Sequence, residues 1–134
     1  MVSMKRREHI WTVVLLFVVV ALTGLNSTAS ERIHFAGDSH STTLTAAVGD
    51  GRDYLLSAKA GQALTVTIES PAGVYFNVLP PGSHDAIVDS SATGETSWTG
   101  QLSRDGDYTI QVYRGRSAAQ QSKNPSFTIT LAVR

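Results

Sequence analysis

The chain has 134 residues, no cysteine, and 11 basic against 11 acidic side chains, a formal net charge of 0. That balance lacks the strong basic footprint nucleic acid usually needs. The missing cysteines exclude both a disulfide scaffold and a cysteine-acylated lipoprotein.

In chain order, residues 1–29 read as a secretory signal peptide. Lys5, Arg6 and Arg7 give a basic start, residues 10–22 an apolar run, and Ser27, Ala29 and Ser30 small residues after it. Even counted over 10–25, the run makes about 24 Å of helix at about 1.5 Å per residue, short of a hydrocarbon core of about 30 Å. The expectation is therefore export to the periplasm, cleavage after Ala29 or Ser30, and no membrane association afterwards. The remaining residues, 30–134, suffice for one domain with one core held by packing alone. Removing 1–29 leaves 8 basic and 10 acidic side chains, a net of −2. The charge is uneven: residues 31–107 hold all ten acids and a net of −6, whereas Arg114, Arg116, Lys123 and Arg134 follow with no acid at all. Such a local basic end favours a site-specific role.

Period-two alternation of apolar and polar residues recurs along 30–134, each time bounded by turns rich in Gly, Pro, Asp and Ser. "ALTVTIE" puts Leu64, Val66 and Ile68 on one face, "YTIQV" does so with Tyr108, Ile110 and Val112, and "FTITLAV" with Phe127, Ile129, Leu131 and Val133. Strands are expected near 32–36, 42–48, 53–58, 63–69, 74–79, 86–89, 95–99, 107–114 and 126–133, one or two of them irregular. The predicted fold is all-β, an antiparallel sandwich of about eight short strands preceded by a signal-peptide helix. Its predicted core comprises Leu44, Tyr54, Leu56, Leu64, Val66, Ile68, Phe76, Val78, Ile110, Val112, Phe127, Ile129 and Leu131.

"IHFAGDSHS" sets Gly-Asp-Ser after a strand, as in GDSL-type esterases. The partner Asp-x-x-His is missing, because Glu31, Gly37 and Pro81 stand three residues before His34, His40 and His84. Ser39 is thus read as part of a polar turn, and the chain as no enzyme. The histidines are scattered without metal-ligand spacing. Asp50/Asp53 and Asp105/Asp107 sit in glycine-containing turns that lack the calcium-loop pattern, so no metal or cofactor is assigned. The acid-free stretch "RGRSAAQQSKN" stands out more. Tyr113, Arg114 and Arg116 are residue types enriched at binding hot spots, and an arginine fork matches a carboxylate in a bidentate way. The plain alternative is a hairpin loop kept soluble by its charges.

The segments "RIHFAGDSHSTTLTAAVGDGRDYLLSAKAGQALTVTIES", "YFNVLPPG" and "DGDYTIQVYRGRSAA" resemble the bacterial periplasmic lysozyme inhibitors of g-type and, more distantly, i-type lysozymes. A looser version, with "AGQ" and "GDY" turns, is shared by secreted domains of the pre-peptidase C-terminal type. The resemblance implies a β-sandwich whose loops occlude a lysozyme's active-site cleft, with Arg114 and Arg116 in the segment that reaches catalytic acids. Where the family carries a second basic cluster this chain has Gln120 and Gln121. Ser103 and Tyr108, in "SRDGDY", loosely match an i-type contact loop, Ser103 as a contact and Tyr108 as core. The expected partner is a lysozyme, with homodimerisation left open; the alternative is a non-catalytic module binding cell-wall glycan or calcium.

Overall fold

The computed structural model describes residues 29–116 and 124–134. Residues 1–28 of the expected signal peptide lie outside the described residues, as do Gln120, Gln121 and Lys123. Alternating runs become strands because successive side chains in an extended chain point to opposite faces. Among the described residues nine strands form: β1 (Ala29–Arg32), β2 (Ser41–Ala47), β3 (Arg52–Ala58), β4 (Ala63–Glu69), β5 (Val74–Leu79), β6 (Val88–Asp89), β7 (Ser97–Gln101), β8 (Gly106–Arg114) and β9 (Ser126–Val133). A one-turn helix, α1 (Ser90–Thr93), follows β6 directly.

The strands make two sheets, one in the order β1-β3-β8-β5-β6 and one in the order β2-β9-β4-β7. Among these nine strands, β5 and β6 are the only chain neighbours that share a sheet, so consecutive strands otherwise alternate between the layers. The core lies between the layers. Tyr54, Leu56, Phe76, Val78, Tyr108, Ile110 and Val112 enter from the five-stranded sheet, and Leu64, Val66, Ile68, Phe127, Ile129 and Leu131 from the other. Tyr54 and Phe127 meet edge to face across the layers, ring centroids 6.4 Å apart. Fully buried Tyr108 donates its hydroxyl to the Arg104 carbonyl (2.8 Å) and accepts the Arg104 N–H (3.2 Å), so its polar tip is satisfied.

Four expectations need correction. The first strand lies at Ala29–Arg32, upstream of 32–36, and pairs parallel with β3 in an otherwise antiparallel fold. All four of its residues are exposed, so no apolar alternation announces it. Ile33 and Phe35, which suggested the later strand, pack on the core as the chain leaves the ladder. The strand expected over 86–89 shrinks to Val88–Asp89, the two residues that pair with β5, and that expected over 95–99 moves to Ser97–Gln101, the stretch that pairs with β4, with α1 between them. Asp89 caps the helix by accepting the Ser91 N–H (3.0 Å), and Gly94 closes it in the left-handed region at φ 74°. Buried Ser90 accepts the Phe76 N–H (2.8 Å), a side-chain bond continuing the β5 ladder. Finally, Leu44 is only partly buried, because β2 is an edge strand with the core on one side of it alone.

The outward face of the four-stranded sheet is covered by hydroxyl groups that satisfy one another. Thr43 pairs with Thr130 and Thr45 with Thr128 at 3.0 Å, Thr65 with Thr99 at 2.9 Å and Thr67 with Ser97 at 3.0 Å. Cross-strand pairs of this kind stabilise a sheet locally.

Ile129→Ala, at the centre of the core, should cost about 2–5 kcal/mol in chemical denaturation, whereas Leu44→Ala on the edge strand should cost less than about 2 kcal/mol. Equal losses would contradict the placement of β9 inside and β2 outside.

Candidate functional site

Strand β8 sends Tyr108, Ile110 and Val112 into the core and Thr109, Gln111 and Tyr113 to the outer face of the five-stranded sheet. Register sets Tyr113 opposite Tyr75 of β5, and the two rings stand 5.9 Å apart, tilted by 42°. The Tyr113 hydroxyl donates to Asp89 Oδ1 at 2.7 Å. Asp89 also accepts the Ser91 hydroxyl (2.8 Å) and the Ser91 N–H (3.0 Å). These bonds, the one from Tyr113 first, hold the Asp89 carboxyl below the usual carboxylate range. Burial, with the Asp89 charge adding to it, pushes the Tyr113 phenol up.

Beyond Tyr113 the backbone is fixed at Gly115, whose N–H donates to the Gly73 carbonyl at 2.7 Å. A Cβ at Gly115 would stand 2.7 Å from the Tyr75 ring, so only glycine lets the strand end lie against that ring. On either side of Gly115 are the two arginines. Arg114 is largely covered, its side chain 19% exposed, with its guanidinium 4.0 Å from the Asp50 carboxylate in the β2–β3 turn. Arg116 is exposed. Asn124 Oδ1 accepts the Gly49 N–H (2.7 Å), and the Pro125 carbonyl accepts the Val48 N–H (3.0 Å). One end of the sandwich therefore gathers Tyr75, Tyr113, Arg114, Arg116, Asp89 and Asp50.

Of the residues singled out from the sequence, Tyr113, Arg114 and Arg116 come together there. Tyr113 has its hydroxyl committed to Asp89, so it supports the arginine edge from within the sheet face. Ser103 is exposed but precedes β8, at the opposite end of a strand about 27 Å long at about 3.4 Å per residue. Ser39 donates its hydroxyl to the Ser41 carbonyl (2.9 Å) within a local turn. Asp105 accepts the Ala60 N–H (2.8 Å), and Asp107 holds Arg32 through a two-bond fork (3.1 and 2.7 Å) that ties β1 across β3 to β8. Among the described residues no three His, Cys, Asp or Glu side chains converge as a metal site would require. Tyr75 and Asp89 escaped the sequence reading. The alternation of "YFNVL" already turns Tyr75 outward once Phe76 and Val78 are core, and Asp89 before "SSAT" is a helix-cap signal.

No family model matches the chain, and no curated protein matches it either. Solved structures do. The crystal structure of Aeromonas hydrophila PliG, a periplasmic lysozyme inhibitor of g-type lysozyme, is 31% identical, with TM-score 0.73 over 81% of this chain and 98% of that one. Salmonella Typhimurium PliG, also a periplasmic inhibitor of g-type lysozyme, has the same fold at 22% identity and TM-score 0.65, over 81% of this chain and all of that one. The pre-peptidase C-terminal domain of Bacillus anthracis collagenase shares the fold at 15% identity and TM-score 0.55, over 81% and 98%.

The Tyr113 hydroxyl stabilises Asp89 only while the carboxyl is ionised. Tyr113→Phe should therefore lower stability by about 1 kcal/mol at pH 7. Because the folded pKa of Asp89 lies below its unfolded value, the deficit should be complete above the ordinary carboxylate range and vanish as pH falls through the lowered one. Denaturation of both proteins from pH 7 to pH 2 checks this; a deficit unchanged at pH 2 would point to ring packing instead.

Proposed function

The chain belongs to the family of bacterial periplasmic inhibitors of g-type lysozyme, and we propose on that basis that it binds a g-type lysozyme and closes the active-site cleft with the edge built on Tyr113, Arg114 and Arg116. The observation that carries this reading is kinship with a g-type inhibitor over nearly that protein's whole length. The geometry at the end of β8 adds support, with two arginines spaced by a glycine whose backbone is pinned to Gly73 and packed on Tyr75.

The chemistry suits such a target. Glycoside hydrolysis generally uses two carboxyl groups, one as acid and the other as nucleophile or base. A guanidinium set between them forms charge-assisted, geometrically specific hydrogen bonds and occupies the place of the sugar. Arg116, exposed at the tip, is the group that enters the cleft; Arg114, partly covered and near Asp50, shapes its base. Ser103, at the far end of β8, touches only a partner that spans the sandwich. The protein acts without catalysis, in the periplasm, after loss of residues 1–29. The net negative charge of residues 31–107 speeds encounter with a basic enzyme at low salt.

Titration of protein 30–134 against g-type, i-type and c-type lysozymes tests the reading. Inhibition of the g-type enzyme at stoichiometric excess is expected, and none at micromolar excess would overturn it. Inhibition of the i-type enzyme alone would reassign the target, and retention on peptidoglycan without any lysozyme effect would favour a glycan-binding module. Arg116→Ala should weaken binding at least about tenfold with an unchanged Tm, as expected for loss of a hot-spot contact outside the core. Arg114→Ala should weaken binding and also lower the Tm slightly, since that side chain is packed.

A further inference from the structure

The two outer faces of the sandwich treat their polar groups differently. On the four-stranded sheet the hydroxyls pair off, whereas on the five-stranded sheet one row ends in a carboxylate with nothing to bind. Register places Asp53 of β3, Gln111 of β8, Asn77 of β5 and Asp89 of β6 side by side across the sheet. The direction of the hydrogen bonds along this row is set by Asp89. As a carboxylate it only accepts, and Asn77 is satisfied with its amide nitrogen 3.0 Å from Asp89 Oδ1 and 3.2 Å from the Phe76 carbonyl. That turns Asn77 Oδ1 toward Gln111, 3.5 Å away. Gln111, next in the row, is the neighbour able to meet that oxygen with its own amide nitrogen.

The row ends at the Asp53 carboxylate, which as an anion only accepts. Among the described residues the Asp53 side chain has no hydrogen-bond or ion-pair partner, and partial burial without compensation pushes its carboxyl pKa up. Asp53, Gln111 and Asn77 line an open groove of about 250 Å³, together with Asp50, Gly51 and Tyr113. Tyr113 is its boundary with the arginine edge, since the same ring lines the depression beside Arg114 and Arg116. A desolvated charge left unpaired costs stability, and the group that would offset it is a cation carrying N–H donors. A metal ion fits poorly, because calcium wants six to eight oxygens and no three acidic or histidine side chains converge here among the described residues. A neutral sugar would meet the acceptors but leave the charge uncompensated.

We propose that this groove receives a guanidinium or ammonium side chain from the surface of the bound lysozyme, a proposal that rests on the inhibitory function set out above. The interface then carries charge of both signs on the two sides of Tyr113. Arginine goes out to the enzyme's carboxylates, and an enzyme cation comes in to Asp53. Opposed charges a fixed distance apart would set one docking register, since rotating the partner would bring like charges together.

Asp53→Asn keeps the shape and removes the charge. It should weaken binding to a g-type lysozyme about tenfold, make the affinity less sensitive to salt, and leave the Tm equal or higher, because an uncompensated charge is removed; a purely structural Asp53 would instead lower the Tm. In a second arm, the inhibitor alone is titrated with N-acetyl-arginine amide by NMR. Shifts in the side-chain amides of Gln111 and Asn77 that disappear in Asp53→Asn support the site. Unchanged lysozyme affinity together with no shifts overturns it. If the wild type binds no g-type lysozyme yet shows the shifts, the inhibitory reading and the lysozyme occupant both fall, while cation recognition by the groove stands. Shifts produced by tri-N-acetylchitotriose and not by the arginine amide overturn the proposal in favour of a saccharide site.

Discussion

The pleat of β8 is the constraint on which the other features depend. The strand lies inside the five-stranded sheet, bonded to β3 on one side and β5 on the other, and its residues alternate between core and outer face without a bulge. A slip of one residue would put Gln111 and Tyr113 into the core and Ile110 and Val112 into water. Burial of Tyr108, Ile110 and Val112 forbids that, and a tyrosine hydroxyl fixes the phase near each end. Tyr108 is bonded to the Arg104 backbone before the strand begins, and Tyr113 to Asp89 before it finishes. The outer row and the arginine edge are thus by-products of how the core is filled.

Much of this was legible in the sequence, because period-two alternation is a direct imprint of one buried face. Twelve of the thirteen residues expected in the core are buried, and Leu44 falls short because alternation reports a face and not whether a strand is central or at an edge. Elements that bury little left no such imprint. β1 is exposed throughout and is held by backbone pairing and the Arg32–Asp107 fork, while α1 is a single turn made by a cap and a glycine. The arginine edge was visible as a run without acids, and the family resemblance lay in the motifs around it. The supporting role of Tyr113 was not visible, because Asp89 is 24 residues away and meets it only through the register of two other pairs. The same holds for the row from Asp53 to Asp89, whose members come from four strands.

The outer faces show two answers to one problem. A half-buried sheet must give the polar atoms on its far side something to bind. On the four-stranded sheet neighbouring hydroxyls do this in pairs, since a hydroxyl both donates and accepts, and the pairs close on themselves. On the five-stranded sheet the groups are carboxylates and carboxamides, and a row capped by an anion at one end has a fixed direction. Its last acceptor has no donor within the sheet. The difference follows from the hydrogen-bonding inventory of Thr against Asp, Asn and Gln, and needs no difference in backbone.

β8 ends at Arg114, and β9, the next strand in the chain, begins at Ser126. β8 is interior to one sheet and β9 is interior to the other. Any traction on the stretch between them is thus passed to both layers at once, along strands flanked on each side by ladders, and resisted as shear along whole rows of hydrogen bonds instead of peeling from a margin. A segment suspended from β1, β2, β6 or β7 would unzip one bond at a time. A load applied through two inner strands leaves the sandwich closed.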